Sequence, residues 1–392
     1  MSRAKASPTA AAMARAAAAK AAGRPVISLT TGEPDFDTPL HIQDAAAAAM
    51  REGQTRYTEV DGTPALKQAV IDKFARENGL SFAPEEVTIS AGAKQVIYNA
   101  LMATIGPGDE VIIPTPAWVS YVDMVALAGG TPVLVETTAE TGFKPKPAQI
   151  AEAVTPQTRA ILLNSPNNPT GAVLTHDAYQ ALGALIEGHP QILVICDDIY
   201  EHILFGDARF STLAGVRPDL REQVLTVNGV SKAYAMTGWR IGYGGGPAHL
   251  IRAMRVVQSQ STSNPSSIGQ AAAVAALNGG LQTVEEQRQA FAARREMLLH
   301  RLRKMPGLSV LPPDGAFYVF INIAQHLGTK RTNGKRIETE ADFVDALLED
   351  QNLGVVGGSG FNCSPFIRLS FAASDADLTA AMDRLDTFVG SL

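Results

Sequence analysis

Cysteine is nearly missing from this chain: two in 392 residues, Cys196 and Cys363, far apart and in no CxxC pair. That gives no support to a disulfide framework or a structural zinc site; no metal is expected, and a reducing, cytoplasmic setting fits. No run of about 18 apolar residues occurs, so no membrane-spanning helix is expected. Basic charge is also short. The 33 Lys and Arg are outnumbered by 39 Asp and Glu, the formal net charge is -6, and no stripe of Lys or Arg is interleaved with aromatics. A chain with that balance lacks the field that draws a phosphate backbone, which argues against nucleic acid as a partner. Disorder is not expected either, because 46% hydrophobic and 18% charged residues describe an ordinary globular protein. The length allows two domains. The first 32 residues carry no acid but several Arg and Lys, as organelle transit peptides do. The preferred reading is an Ala-rich helix running into a strand, "PVISL".

What the chain does contain is alternation. Short apolar runs, "VTIS" (87–90), "EVIIP" (110–114), "PVLVE" (132–136), "AILLN" (160–164), "ILVIC" (192–196) and "VLTVN" (224–228), are mostly spaced by helix-sized stretches such as "KQVIYNALMATI". Continuous Val/Ile/Leu runs separated in this way imply parallel strands covered by helices on both faces, an α/β domain assigned to residues 41–285. Beyond it come a long charged helix, "VEEQRQAFAARREMLLHRLRKM", then "GAFYVFIN", "EADFVDALLED" and "FIRLSFA". That mixture suggests a smaller α+β domain, 286–392, with the N-terminal segment 1–40 packing against it.

In an open α/β sheet, ligands bind beyond the carboxyl ends of the strands, where the crevice and the helix N-termini meet. The unusual polar residues collect at those ends. "VTIS" is followed by "AGAKQ", "EVIIP" by "TPAW", "AILLN" by "SPNNPTG", "ILVIC" by "DDIYEH" and "VLTVN" by "GVSK". Singly, each has an ordinary reading. The turn at Gly92, Ala93 and Lys94 offers backbone N–H groups to an anion, or only lets a helix pack tightly. Asn168 aims its amide at a ligand, or belongs to a rigid loop. Asp197 faces a cation, or caps a helix over "DIYEH". Trp118 alone reads as core.

Lys232 is the sharpest case. Either its stem packs on the sheet while its head reaches water, or it is an amine nucleophile that condenses with an aldehyde, activated by partial burial or by Arg240 eight residues on. One cofactor makes use of all these features together. Pyridoxal 5'-phosphate brings a phosphate for the turn and Arg240, an aldehyde for Lys232, and a ring oxygen for Asn168 and Tyr200. It also brings a pyridinium nitrogen for Asp197 and a flat ring for Trp118.

With these residues in view, the chain resembles a class I aminotransferase of pyridoxal phosphate fold type I, in the bacterial aspartate (aspartate/prephenate) aminotransferase branch. The resemblance runs in family order through "LTTGEPDFDTP", "RYTEVDGTPALKQAV", "SAGAKQ", "NSPNNPTG", "DDIYEH", "SKAYAMTGWRIGY" and "FIRLSFA", nearly the whole chain. It implies that Lys232 anchors the cofactor covalently and moves the substrate proton, and that Asp197 keeps the ring nitrogen protonated. Tyr200 and Asn168 would bond the ring oxygen, Trp118 would stack on the ring, and Gly92, Ala93, Lys94, Ser231 and Arg240 would surround the phosphate. Tyr57 would reach the phosphate of a second subunit, which implies a homodimer. Arg368, an arginine that could equally sit on a solvent face, would grip the substrate α-carboxylate. Gly32 would let the small domain close over it. Family members also hold the peptide bonds at 115–116 and 168–169 in cis.

For specificity, the resemblance assigns the Lys94 side chain and the Thr9 hydroxyl to a distal carboxylate. Aspartate and glutamate then lead as amino donors, with 2-oxoglutarate as acceptor and with prephenate or aromatic and neutral amino acids as the alternative. The loop "SQSTSNPSSIG" (259–269) borders the side-chain pocket in relatives. One departure is visible: Gly229 stands where some relatives place a phosphate-binding serine. A lyase or decarboxylase on the same fold is the nearest rival. A regulatory module that binds the cofactor is the rival of another class, but it would need an added DNA-binding domain.

Overall fold

A computed structural model describes residues 8–392 of the chain. Its strands are β1 (Ile27–Ser28), β2 (Val87–Ser90), β3 (Glu110–Thr115), β4 (Thr131–Glu136), β5 (Thr158–Asn164), β6 (Leu193–Asp197), β7 (Val224–Gly229) and β8 (Gly242–Gly245), followed by β9 (Ser309–Val310), β10 (Tyr318–Asn322), β11 (Leu353–Gly354), β12 (Val356–Gly357) and β13 (Phe366–Ser370). Seven of them form the central sheet in the order β2-β8-β7-β6-β5-β3-β4. The pairs from β7 to β4 are parallel, and β8 runs antiparallel to both of its neighbours.

The apolar runs read from the sequence are these parallel strands, and their lack of alternation has a direct cause. Ile161 and Leu163 of β5 enter one apolar cluster, while Ala160 and Leu162 enter another on the opposite face. Both faces of the pleat are therefore buried, and every position favours an apolar side chain.

Strand β8, "GYGG", went unread because glycine is depleted in strands. Its glycines are required by what approaches them. A Cβ on Gly242 would lie 2.1 Å from the backbone nitrogen of Ala93, and one on Gly245 2.5 Å from the Phe82 ring. One further expectation is corrected: "PVISL" contributes only the two paired residues of β1. Of the two readings of Asp197, the helix cap is removed, because "DIYEH" is a turn.

The helix Gln282–Leu302 leads from the central sheet to a four-stranded antiparallel sheet, β12-β13-β10-β9. Phe317, Phe343, Leu347 and Leu385 lie in the core around it. β1 pairs in parallel with β11, Ile27 opposite Leu353, which ties the segment after the helix Pro8–Ala21 to this part of the chain. The bonds Thr115–Pro116 and Asn168–Pro169 are cis, as are Ser165–Pro166 and Ser364–Pro365. Among the described residues no helix is long and apolar enough to cross a membrane.

Candidate active site

The carboxyl ends of β2, β5, β6 and β7 meet β13 and β10 of the smaller sheet around one cavity of about 290 Å³. Every site residue named from the sequence lines it except Gly92 and Tyr57.

One end of the cavity is built to receive an anion. The helix Ala93–Thr104 starts there with no acidic residue in its first turn, so its free N–H groups and positive dipole end are not neutralised locally. Gly92 precedes it with φ 90°, and a Cβ at that position would lie 2.3 Å from Nη2 of Arg240. Only glycine lets the guanidinium come so close to the turn. Arg240 itself donates to the carbonyls of Thr237 at 2.8 Å and Ala91 at 3.3 Å, which aligns it across the same turn. Ser231 lines the cavity beside it. At Gly229 a Cβ would sit 3.1 Å from the Gly242 Cα, so the pairing of β7 with β8 leaves little room for the serine of some relatives.

Lys232 follows β7 and sends Nζ to the carbonyl of Gly32 at 2.6 Å. Burial pulls its pKa down to about 8; Glu33 opposes this, and Arg240 and Arg368 add to it. Such an amine keeps a neutral, nucleophilic fraction near neutral pH. Gly32 is confined by the Tyr318 hydroxyl, 2.0 Å from where its Cβ would be.

Asp197 ends β6 with its side chain buried. Its Oδ2 accepts from the Tyr121 hydroxyl at 2.6 Å and its Oδ1 from the Ile199 N–H at 3.3 Å. Burial raises its pKa to about 6, while Tyr121, Ile199 and Lys232 pull the other way. A buried carboxylate with two donors and no cation in contact is suited to a cationic ligand group. Asn164 joins this acid to the next loop: its Nδ2 donates to the Asp197 carbonyl at 2.8 Å, and its Oδ1 accepts from Asn168 N–H at 2.9 Å.

Arg368 is 2% exposed, which removes the solvent-face alternative. Its Nη1 donates to Asn168 Oδ1 at 2.9 Å and its Nη2 to the Thr30 carbonyl at 2.6 Å, while Nε is buried without a partner among the described residues. The guanidinium lies 4.4 Å from the Tyr318 ring centroid and 4.9 Å from that of Phe361. The Tyr200 and Tyr318 hydroxyls are 2.8 Å apart. At the rim, Lys94 Nζ stands 4.7 Å over the Trp118 ring, with its pKa lowered by burial and by Arg240. The Thr9 hydroxyl there is buried without a partner among the described residues.

Tyr57 lies elsewhere. It is 91% exposed and lines a separate groove with Ala45, Ala49, Ala271 and Ala275. Sequence reasoning missed Tyr121, Asn164 and Tyr318. A signal existed for one of them: Asn164 is the last residue of an apolar strand.

A lysine, a buried acid and an anion cradle at strand ends, on this sheet order, define a pyridoxal phosphate fold type I architecture. The sequence pattern of the aminotransferase class I and II family matches residues 24–385. The chain is 52% identical over 372 residues to an aspartate aminotransferase of Rhizobium meliloti (strain 1021), covering 95% of this chain and 91% of that one. It is 49% identical over 392 residues to an aspartate/prephenate aminotransferase of Cereibacter sphaeroides, covering 100% and 98%. The crystal structure of the Rhizobium meliloti aspartate aminotransferase superimposes with a TM-score of 0.97 at 49% identity, covering 100% of this chain and 99% of that one. The Thermus thermophilus aspartate aminotransferase solved with maleate gives 0.92 at 42%, covering 98% and 97%. The chain belongs to the class I and II aminotransferases, in the aspartate branch, and its reaction is amino-group exchange between an amino acid and a 2-oxo acid.

Proposed function

We propose that the cavity holds pyridoxal 5'-phosphate and that the favoured amino donors are aspartate and glutamate, with 2-oxoglutarate as an acceptor. The observation that carries this reading is the placement of a depressed amine, Lys232, and a buried acid, Asp197, in one cavity with an open helix N-terminus. The residues fit the group: Gly92 and Arg240 leave a cradle, and Asp197 lacks a cation in contact. When bound, the cofactor supplies an electron sink for the carbanion formed at the substrate Cα.

The chain's residues do the rest. Ala93, Lys94, Ser231 and Arg240 hold the phosphate through N–H, hydroxyl and guanidinium donors. Asp197, held by Tyr121, keeps a proton on the ring nitrogen. Tyr200 and Asn168 bond the ring oxygen, and Trp118 covers the ring face. Lys232 is the covalent anchor and, once free, takes the proton from Cα; its bond to the Gly32 carbonyl keeps the amine in place. Arg368 grips the α-carboxylate with its remaining N–H groups, pre-oriented by Asn168 and Thr30. Lys94 and the unpartnered Thr9 hydroxyl face the distal carboxylate. The maleate in the Thermus relative, a dicarboxylate, supports that choice.

Prephenate is the second acceptor considered, on the name of the Cereibacter relative. The reading includes a cytoplasmic homodimer in which Tyr57 reaches the phosphate of the other subunit; its exposure beside an alanine-lined groove supports this. The division into segment 1–40, large domain 41–285 and small domain 286–392 belongs to the same proposal. Aspartate alone, added to the reconstituted protein, should release oxaloacetate and leave the cofactor in its amine form. Release of carbon dioxide or ammonia without oxaloacetate would favour a lyase.

A further inference from the structure

Outside the cavity lining lies a second buried cluster of charges that the reaction does not use. Lys73, at the end of the helix Pro64–Lys73, is 0% exposed, and its Nζ is bonded to Glu201 and, at 2.7 Å, to Asn78 Oδ1. Glu77 lies 3.5 Å from the same ammonium and accepts or shares a proton with His202 at 2.9 Å. Glu201 is fully engaged: Asn78 donates to its Oε2 at 2.6 Å and Asn228 to its Oε1 at 2.8 Å.

The local sequence makes this possible through a π-helical turn, Phe74–Asn78, closed by Gly79 with φ 66°. The extra residue in that turn brings Glu77 and Asn78 to the side where Lys73 points, and such turns frequently occur at functional sites. The ligating atoms of Glu77, Glu201 and His202 lie within 4.8 Å of one another, close enough for a metal ion. The Lys73 ammonium already stands bonded in that space, so the cluster carries its own cation. Burial works against ionising Glu77, yet His202 and Lys73 hold its pKa down to about 2.

The cluster's position suggests its use. Glu201 immediately follows Tyr200 and comes four residues after Asp197. Its N–H donates to the Asp198 carbonyl at 3.0 Å, and the Asp198 N–H donates to Val227 at 2.9 Å. Asn228, the other arm, is the next-to-last residue of β7, the strand that leads to Lys232 four residues on. One carboxylate, outside the cavity lining, thus ties the turn that carries Asp197 and Tyr200 to the strand that delivers the lysine.

We propose that Glu201, held by Lys73, is a positioning residue that fixes Asp197 and Tyr200 relative to Lys232 for the bound cofactor. The inference rests on the cofactor reading above. A buried pair costs desolvation and is often replaceable by apolar residues without loss of stability. Its geometric role can therefore be separated from its stabilising one.

The test compares wild type, Glu201→Gln and the charge-neutral double variant Lys73→Met/Glu201→Gln, each reconstituted with pyridoxal phosphate. The readouts are the pH midpoint of the near-visible absorbance change of the bound chromophore, kcat and KM for aspartate, and melting of the cofactor-free proteins. The double variant should melt close to wild type, whereas its chromophore midpoint should rise by about half a unit or more. Its kcat should fall about tenfold, with KM within about twofold. A double variant with wild-type midpoint and kcat overturns the proposal. So does one whose cofactor-free form melts more than about 10 °C below wild type, which would assign the cluster to stability alone. A wild-type protein that takes up no cofactor refutes the cofactor reading itself, and this inference with it.

Discussion

Replacing Tyr121 with Phe removes one oxygen from the site and tests how the acid is tuned. The hydroxyl donates to Asp197 Oδ2 at 2.6 Å in a buried setting. A hydrogen bond to a charged group of this kind contributes about 1.5–3 kcal/mol, which corresponds to roughly 1–2 pKa units. Asp197 stands at about 6 in the cofactor-free protein, so the variant should move it to roughly 7–8. Because its folded pKa lies above its unfolded value of about 3.9, the folded state binds this proton more tightly than the unfolded state. Its contribution to stability therefore falls as pH rises from about 4 to 6, by about 3 kcal/mol in all, and then levels off. In Tyr121→Phe the fall should continue to about pH 8, adding the 1.5–3 kcal/mol of the missing bond. Urea unfolding of the cofactor-free proteins from pH 4 to 8.5 reads this, since titrating groups not coupled to Asp197 or Tyr121 cancel in the difference. The gap between the two proteins should be small at pH 4 and widen through neutrality. A gap that is constant across the range, or largest at low pH, would refute the reasoning.

Three further variants address the other roles. Lys232→Ala should lose both the near-visible absorbance of the reconstituted protein and transamination, checked by spectrum and coupled assay. Arg368→Lys should raise KM for every amino acid by roughly thirtyfold, because the planar fork that Asn168 and Thr30 orient is replaced by a point charge. Lys94→Ala should reduce kcat/KM for aspartate and glutamate about tenfold more than for alanine or leucine, as measured on an amino-donor panel. An equal loss would remove Lys94 from distal-carboxylate recognition.

The central strands and the cavity lining were legible because burial on both faces leaves continuous apolar runs, and because chemistry at strand ends needs polar residues directly after them. β5 and β6 are plain examples: each apolar run stops at Asn164 or Asp197, the residues that face the site. β8 was hidden because its glycines answer to the close approach of Ala93 and Phe82, a tertiary demand that no local pattern records. The Tyr121–Asp197 bond joins residues 76 positions apart, and the Tyr200–Tyr318 pair spans 118. An aromatic inside an amphipathic helix or a strand gives no sign of such a partner. The same holds for Lys73, which in sequence is an ordinary basic residue at a helix end and in the fold is fully buried.

The central claim is that Lys232, with Asp197 in the same cavity, is the residue that captures the aldehyde of pyridoxal phosphate. Purified protein incubated with this cofactor, reduced with borohydride and digested for mass spectrometry should carry one phosphopyridoxyl group, on the peptide containing Lys232, and Lys232→Ala should carry none there. No adduct, or one placed on Lys94 or another lysine with Lys232 unmodified, would contradict the account.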